Sequence, residues 1–272
     1  MPIETERIKS YCRSHPRLRE LVHEVLHFDQ VASSNQLALE MGANGLPGGT
    51  VILAESQKAG KGRLGRSWFS PPGRNIYLSL LIRPYLALRE YPLYSPATAV
   101  GIVNGIRNLL GLETGIKWPN DIMIGAKKVG GILLESKTTG DQNTPLVIGV
   151  GLNVNLDSNA FPLDLQETAT SLKAELGSHI DRTDMVNALL DGIGDQIFNL
   201  QEGKKEDMLQ FARSYSLTLG KYIQVKTAHH LVVGWAEAIE EDGSLAVRTG
   251  DRALRKIVLG EITHLREIPG AP

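Results

Sequence analysis

The sequence of 272 residues predicts an α+β protein, with a mixed, largely antiparallel sheet packed by helices and a small β-barrel after it. Two observations support this prediction. Closely spaced apolar segments with short loops fill the middle of the chain, and helical segments flank them, which is typical of antiparallel strands with covering helices. After Gly220, short alternating segments continue over about 50 residues, a length that suits a small barrel. We therefore predict one domain over 1–217 and a second over 218–272.

The first helices are predicted from apolar spacing and from the position of a proline. Residues 5–28 have charged and apolar residues at helical spacing, interrupted by Pro16, which predicts one or two short helices before a strand near 27–31. Ser33, Ser34 and Asn35 then precede an apolar segment. Because Ser and Asn side chains accept hydrogen bonds from the first turn of a helix, a helix is expected to begin there. Further helices are predicted over 95–110, 184–201 and 205–215.

The strands are predicted from runs of β-branched and apolar residues bounded by Gly, Pro and Asn. In the first domain these runs are 50–55, 76–83, 122–124, 129–135 and 146–152. In the barrel they are 222–227, 231–239, 245–247 and 254–258.

Composition excludes several classes of protein. A hydrophobic fraction of 42% with a net charge of -1 is typical of a folded globular chain. The single Cys12 forms no internal disulfide, and no apolar stretch approaches the roughly 18 residues of a membrane span, so a cytoplasmic protein is expected. A pI near 6.7 argues against binding nucleic acid through overall charge.

Glycine is concentrated in one part of the chain, since 18 of the 28 glycines lie between residues 42 and 151. Glycine permits tight turns and close approach of a ligand to the backbone. Taken as a count, this enrichment favours turn-rich β structure slightly over a binding site.

The segment 58–68 combines these glycines with positive charge. Lys58, Lys61, Arg63 and Arg66 alternate with glycines, and no acid lies among them. Cationic side chains beside bare amides form an anion site, although a solvated surface loop remains the alternative. The spacing is not that of a Walker A loop.

Two further segments carry polar groups next to predicted strands. Asn120 and Asp121 follow Trp118-Pro119, and Lys128 follows after a short gap. These residues suit turn capping or, alternatively, a metal and phosphate site. Asn153 follows the glycine-rich strand 146–152, where a β-bulge with a turn is the simpler interpretation.

Together, in this order and spacing, these segments resemble the catalytic domain of the biotin–protein ligases. The matching segments are Ser33-Ser34-Asn35-Gln36, Gln57 to Trp68 with its continuation to Ser79, Lys117 to Asp121, Lys128 to Leu133 and Gly149 to Asn153. Ser34 stands where the family has threonine and Lys61 where it has arginine, so a hydroxyl and a positive charge are kept. Some members have an N-terminal DNA-binding domain, which residues 1–30 are too short to form, so a single-function ligase is expected.

The resemblance implies a fold like that of class II synthetases with an SH3-like barrel, and a two-step reaction. Biotin and ATP with Mg²⁺ form biotinyl-5′-AMP, and the biotinyl group then passes to a lysine of a biotin carboxyl carrier protein or domain. Lys128 and Arg63 are the implied catalytic residues, and Asp121 the implied Mg²⁺ residue. The implied biotin-binding residues are Ser33, Ser34, Asn35, Gln57, Lys61, Gly62, Arg63 and Lys128. The implied ATP- and adenylate-binding residues are Arg63, Arg66, Trp68, Asn120 and Asn153.

Two alternative functions remain open at this stage. A lipoate–protein ligase shares the fold and the adenylation chemistry, and a non-enzymatic biotin sensor or repressor shares the biotin pocket. Neither nucleic acid nor membrane is expected as a partner. The family contains monomers and dimers formed through the central sheet, so both states are open.

Overall fold

A computed structural model describes residues 2–84, 86–137, 144–227, 230–258 and 260–264. The helices in these ranges include every one predicted from the sequence, and several have ends explained by local capping chemistry. They are α1 (Thr5–Ser14), α2 (Pro16–Leu21), α3 (Ser34–Ala43), α4 (Tyr94–Leu110), α5 (Leu172–Leu176), α6 (Arg182–Gln201) and α7 (Lys205–Ser214). Pro16 occupies the first turn of α2, Ser33 caps α3 by accepting from the Gln36 amide, and Gly111 ends α4 at a φ of 66°.

The larger sheet has seven strands, and its largely antiparallel character is confirmed. The strands are β1 (Glu24–Phe28), β2 (Thr50–Ala54), β3 (Ile76–Ile82), β4 (Gly115–Lys117), β5 (Asp121–Ile124), β6 (Lys127–Ser136) and β7 (Leu146–Leu152). Their order across the sheet is β1-β2-β3-β7-β6-β5-β4, and only β1 with β2 is a parallel pair among these neighbours.

The first strand differs from its predicted position near 27–31. It begins at Glu24 and ends at Phe28, because buried Val25 pairs with buried Val51 in the adjacent strand. Val31 forms only an isolated bridge, with Gln57. This bridge holds the segment before α3 next to the segment that follows β2.

Helices cover both faces of this sheet. On one face α4 lies against α6 with their backbones in close contact, since a Cβ on Gly101 would lie 2.6 Å from the carbonyl carbon of Gly192. On the other face α3 packs through Ala38 against Ile52 and Leu81. The central strands are therefore buried on both sides, and the N-terminus of α3 lies over the middle of the sheet.

The C-terminal strands form a separate sheet of five, as expected for an SH3-like domain. They are β8 (Tyr222–Lys226), β9 (Leu231–Ile239), β10 (Leu245–Thr249), β11 (Leu254–Ile257) and β12 (Glu261–His264), in the order β11-β10-β9-β8-β12. Trp118 connects the two sheets, because its backbone N–H donates to Thr218 Oγ1 and its indole N–H donates to Gly243 O, each at 3.0 Å. None of the helices in the described ranges is long and apolar enough to cross a membrane.

Candidate active site

A cavity of about 440 Å³ opens over the larger sheet, and every site residue predicted from the sequence lines it. These residues come from the N-terminus of α3, the cationic segment after β2, the β4–β5 turn, β6 and the end of β7. They are Ser33, Ser34, Asn35, Gln57, Lys61, Gly62, Arg63, Arg66, Trp68, Asn120, Asp121, Lys128 and Asn153.

Glycines on adjacent strands form the floor of this cavity. Gly131 pairs with Gly151, so two neighbouring positions carry no side chain, and the Trp68 indole occupies the space above them. A Cβ on Gly151 would lie 2.5 Å from Trp68 Cε2, and one on Gly131 would lie 3.2 Å from the same ring. Gly149 faces Asn35 instead, since its Cβ would lie 2.2 Å from Asn35 Oδ1. Gly149 and Gly151 leave no room for a side chain, so part of the glycine enrichment belongs to the cavity floor, while six other glycines between 42 and 151 adopt positive φ values.

One end of the cavity is polar and built from side chains that hold one another. Gln57 Oε1 accepts from the Ser34 backbone N–H at 2.8 Å and lies 3.1 Å from Ser34 Oγ. Gln57 Nε2 donates to Ser70 Oγ at 3.0 Å. Ser33 and Ser34 are both nearly buried, with 3% and 5% exposure. Helix capping by Ser33 and cavity lining thus coexist, as the sequence allowed.

The cationic segment folds into a narrow turn that projects over the cavity. Gly62 N–H donates to Arg66 O at 2.7 Å and Trp68 N–H donates to Gly60 O at 2.8 Å. A Cβ on Gly60 would lie 2.6 Å from Trp68 O, so this position requires glycine. At the tip, Leu64 has a φ of 55° and is 62% exposed. Leucine rarely adopts the left-handed region, and residues that do so are concentrated at functional sites.

Arg63 points from this turn into the site. Its Nη1 donates to Asn120 Oδ1 at 2.6 Å and its Nη2 donates to Gly260 O at 3.4 Å. Burial lowers the pKa of the Arg63 guanidinium, and the negative charges of Asp121 and Glu261 oppose this effect. Arg63 therefore carries its charge in a partly buried position, and within the described ranges it forms no ion pair with a carboxylate. Such a charge interacts strongly with an anion placed beside it.

Lys128 supplies a second positive charge at the floor. Its Nζ lies 2.5 Å from Asp121 Oδ1 and 5.3 Å from the centroid of the Trp68 ring. Asn120 is oriented by donating from Nδ2 to Ile132 O at 2.8 Å, which turns its oxygen toward Arg63. The site thus brings two cations, one carboxylate and an aromatic face together.

The two remaining predicted residues differ in their freedom to bind a ligand. Arg66 is 65% exposed and forms an ion pair with Glu261 at the start of β12. Asn153 is 5% exposed, and its amide is used within the protein: Nδ2 donates to Thr170 O and Oδ1 accepts from Asn75 Nδ2. Asn153 therefore has one N–H and the second lone pair of its oxygen left for a ligand.

The cavity has two walls that the sequence did not predict. One comes from a segment without regular periodicity and includes Phe161, Leu165, Thr168 and Ala169. It is held by backbone bonds between Lys128 and this segment, with Lys128 N–H donating to Thr168 O at 2.8 Å. The other is the strand start at 260–262. Neither segment contains a recognisable binding motif. Their apolar residues were the only feature of the sequence that indicated burial.

Asp121 is the one predicted metal residue, and it is a partly exposed carboxylate at the cavity surface. Within the described ranges, no group of three or more His, Cys, Asp and Glu side chains is arranged to hold a metal ion. Mg²⁺ commonly binds through one carboxylate together with substrate phosphates and waters. Asp121 fits an ion that arrives with a nucleotide.

Comparisons with known proteins show which family the chain resembles. A sequence profile of the biotin/lipoate A/B protein ligase family matches residues 28–153, a range that contains all the predicted site residues. The chain is 31% identical over 244 residues to the biotin–[acetyl-CoA-carboxylase] ligase of Mycobacterium tuberculosis, covering 87% of each protein. It is 33% identical over 238 residues to the bifunctional ligase/repressor BirA of Bacillus subtilis, covering 88% of this chain and 73% of that protein.

Solved structures show the same similarity. The biotin protein ligase from Aquifex aeolicus in complex with biotin and ATP superposes with a TM-score of 0.77 at 25% identity, covering 90% of this chain and 99% of that one.

Proposed function

The chain belongs to the biotin–protein ligases, and we propose that its cavity activates biotin with ATP to biotinyl-5′-AMP and transfers the biotinyl group to a lysine of a biotin carboxyl carrier protein or domain. One observation carries the assignment to this cavity. Two cations, Arg63 and Lys128, share one cavity with a buried polar end that contains Ser34 and Gln57 and with an aromatic face on Trp68. The site thus has a place for each part of a biotinyl-adenylate.

The first step brings two anions together. An oxygen of the biotin carboxylate attacks the α-phosphorus of ATP, the bond from that phosphorus to the bridging oxygen breaks, and pyrophosphate leaves. Positive groups fixed beside the reacting atoms lower the barrier, because charge in a water-excluded site acts at low dielectric. We assign Lys128 to the carboxylate and the α-phosphate, with Arg63 and Lys61 beside them. Arg63 fits best, since burial has already removed much of its hydration.

The two ends of the intermediate need different surroundings. We assign the urea ring of biotin to the end formed by Ser33, Ser34, Asn35 and Gln57, where few polar groups lie among apolar walls. We assign the adenine to the side of Trp68. The adenylate-binding set also contains Arg66, Asn120 and Asn153, and each asparagine keeps one N–H and one oxygen lone pair beyond its bonds within the protein.

Mg²⁺ enters the site with ATP as part of the substrate. It would neutralise charge on the phosphates, and Asp121 is the carboxylate that would contact it or orient the phosphates. The same carboxylate also holds Lys128. Asp121 therefore has two tasks in the proposal, which are to place the lysine and to receive the metal.

In the second step the carrier lysine nitrogen attacks the acyl carbon of the mixed anhydride, the bond from that carbon to the phosphate oxygen breaks, and AMP leaves as the amine loses a proton. This step requires that water be excluded and the amine be placed correctly. The turn at 58–68 covers the cavity through Arg63 and Arg66, both of which reach the start of β12. We propose that this turn protects the adenylate.

Incubation with ATP, Mg²⁺ and either biotin or lipoate, followed by mass spectrometry, tests the function. Biotinyl-adenylate with biotin and no lipoyl-adenylate is the expected result. Lipoyl-adenylate alone would identify a lipoate–protein ligase. Binding without any adenylate would favour a sensor, and a gel shift with biotin and ATP tests the repressor alternative that the name of the Bacillus relative raises.

Three further parts of the proposal concern the whole protein. We propose that 1–217 and 218–272 are two domains, that the enzyme acts in the cytoplasm beside its carboxylase, and that nucleic acid is not a partner. A homodimer through the central sheet is a further part of the proposal, and sedimentation with and without adenylate tests it.

A further inference from the structure

Asn35 lines the cavity, yet its carboxamide is fully engaged by the protein. Its Nδ2 donates to Leu133 O at 3.1 Å and to Glu135 Oε2 at 2.9 Å, and its Oδ1 accepts from Ser79 Oγ at 2.6 Å. A carbonyl and a carboxylate oxygen only accept hydrogen bonds, so the amide has one possible orientation. Asn35 is 5% exposed and Ser79 is fully buried.

This orientation determines the direction of the neighbouring hydroxyl groups. Ser79 has one hydroxyl hydrogen, which it donates to Asn35 Oδ1, so toward Ser34 Oγ at 2.9 Å it only accepts. Ser34 Oγ also lies 3.1 Å from Gln57 Oε1, which is an oxygen because it accepts from a backbone N–H. The single Ser34 hydrogen therefore goes to Ser79 or to Gln57, both inside the protein. Toward the cavity, Ser34 presents only a lone pair.

Glu135, Asn35, Ser79 and Ser34 form a hydrogen-bonded relay. The register of the sheet holds this relay behind the ligand space. Ser79 pairs with Gly149, and Gly149 pairs with Leu133, so the three positions form one row across β3, β7 and β6. The absent side chain of Gly149 provides the space that Asn35 fills. Ser34 lines the cavity, whereas Ser79 and Glu135 stand behind it.

We propose that Asn35, held by Glu135, is a positioning residue that makes the polar end of the cavity an acceptor for N–H donors. This inference rests on the proposed function, because it concerns how that site recognises its acid. The urea ring of biotin carries two N–H donors, and the dithiolane ring of lipoate carries none. The relay from Glu135 through Asn35 and Ser79 to Ser34 thus favours a cyclic urea over a ring without N–H groups.

Exchange of donor and acceptor between Asn35 and Glu135 tests the relay. Asn35→Asp places a carboxylate against Glu135 and is expected to weaken biotin binding about 30-fold, the cost of losing a buried hydrogen bond to a charged group. Asn35→Asp with Glu135→Gln lets residue 135 donate, and residue 35 still accepts from Ser79. The double variant is expected to recover binding to within about fivefold of wild type. Calorimetry with biotin alone, without ATP, gives these dissociation constants.

A second pair of variants covers the case in which Asn35→Asp does not fold. Glu135→Ala is expected to weaken biotin binding about tenfold, and Glu135→Gln, which keeps an acceptor, less than threefold. In pyrophosphate exchange the change should fall on KM for biotin, with KM for ATP and kcat within about twofold. Asn155→Asp is the matched control, since Asn155 is 1% exposed, does not line the cavity, and its side chain bonds to the backbone of Ile180.

The relay is contradicted if the double variant binds biotin no better than Asn35→Asp, or if Glu135→Ala and Glu135→Gln weaken binding equally. It is also contradicted if KM for ATP rises as much as KM for biotin. A different result would contradict the proposed function: wild-type protein would bind biotin but form no adenylate. Wild-type protein that binds no biotin would remove both proposals.

Discussion

Lys128 Nζ forms a 2.5 Å ion pair with Asp121 Oδ1 on the neighbouring strand of the sheet. Both side chains are about a third exposed or less, so the pair lies at the cavity surface and is within reach of a ligand. The register of β5 and β6 shifts between Ile122 and Met123, so Met123 pairs with Lys128 while Ile122 pairs with Gly130. The ion pair holds the Lys128 ammonium over the floor of the cavity.

Asp121→Asn tests the second task of this carboxylate. The amide still accepts a hydrogen bond from Lys128 but is a poor ligand for Mg²⁺. We expect the Mg²⁺ concentration for half-maximal pyrophosphate exchange to rise several-fold while KM for biotin changes little. Titration of exchange with Mg²⁺ at fixed ATP measures this. An unchanged Mg²⁺ dependence would leave Asp121 with only the task of holding Lys128.

Arg63→Gly tests the covering turn. Loss of the bonds to Asn120 and Gly260 should loosen the turn and let biotinyl-adenylate escape into solution. We expect more biotin on lysines of bystander proteins such as serum albumin, measured by mass spectrometry. Arg74→Ala is the control, because Arg74 is exposed and does not line the cavity. If bystander labelling stays at the wild-type level, Arg63 does not retain the adenylate.

Gly151→Ala tests the position of the Trp68 indole over the cavity floor. The new Cβ would lie 2.5 Å from Trp68 Cε2, so the indole must move, and overpacking of this kind costs about 1–3 kcal/mol. We expect KM for ATP to rise and the tryptophan fluorescence to change. Gly250→Ala is the matched control, since its Cβ would meet no atom within 4 Å. Equal KM values for ATP in the two variants would mean that Trp68 does not contact the nucleotide.

Glu55 gives a prediction for pH. Burial alone would raise its pKa, but hydrogen bonds from His27 and Arg182 outweigh burial and lower the pKa to about 2, against 4.5 for an ordinary glutamate. Because the folded-state pKa is the lower one, this stabilisation is complete above the unfolded pKa of 4.5 and is lost as pH falls toward 2.

Urea unfolding of wild type and Glu55→Gln from pH 7 to pH 3 measures the effect. The difference in free energy of unfolding should be largest and constant above about pH 5, at about 2–4 kcal/mol, and shrink below it. A difference that does not depend on pH would mean that Glu55 is not ionised in the folded protein.

Local chemistry explains the elements that the sequence predicted. Ser33 caps α3 as expected, and the glycines and apolar residues of β6 and β7 read directly as buried strands. Two missed strands depend on distant partners. Strand β4 has three residues, and Ile116 is held by backbone bonds with Tyr215 and Leu217. Strand β12 pairs with β8, more than thirty residues earlier, so no local pattern marks it.

The site divides in the same way. Cationic and polar residues in compact motifs were predictable, because their chemistry is visible in the sequence. The wall with Phe161 and Leu165 was not, since it has no periodicity and is placed by its bonds to Lys128. The resemblance also grouped Asn35 with the ligand contacts, whereas its hydrogen bonds are directed into the protein. Hydrogen-bond direction depends on the fold and cannot be seen in a motif.

Biotin-dependent ATP–pyrophosphate exchange by wild type and Lys128→Ala tests the central claim most directly. Lys127→Ala is the control, because Lys127 is the adjacent lysine on the same strand and does not line the cavity. The account predicts exchange by wild type and Lys127→Ala, and a loss of at least about 100-fold in Lys128→Ala with the thermal unfolding of a folded protein retained. Exchange by Lys128→Ala at the wild-type rate would contradict it.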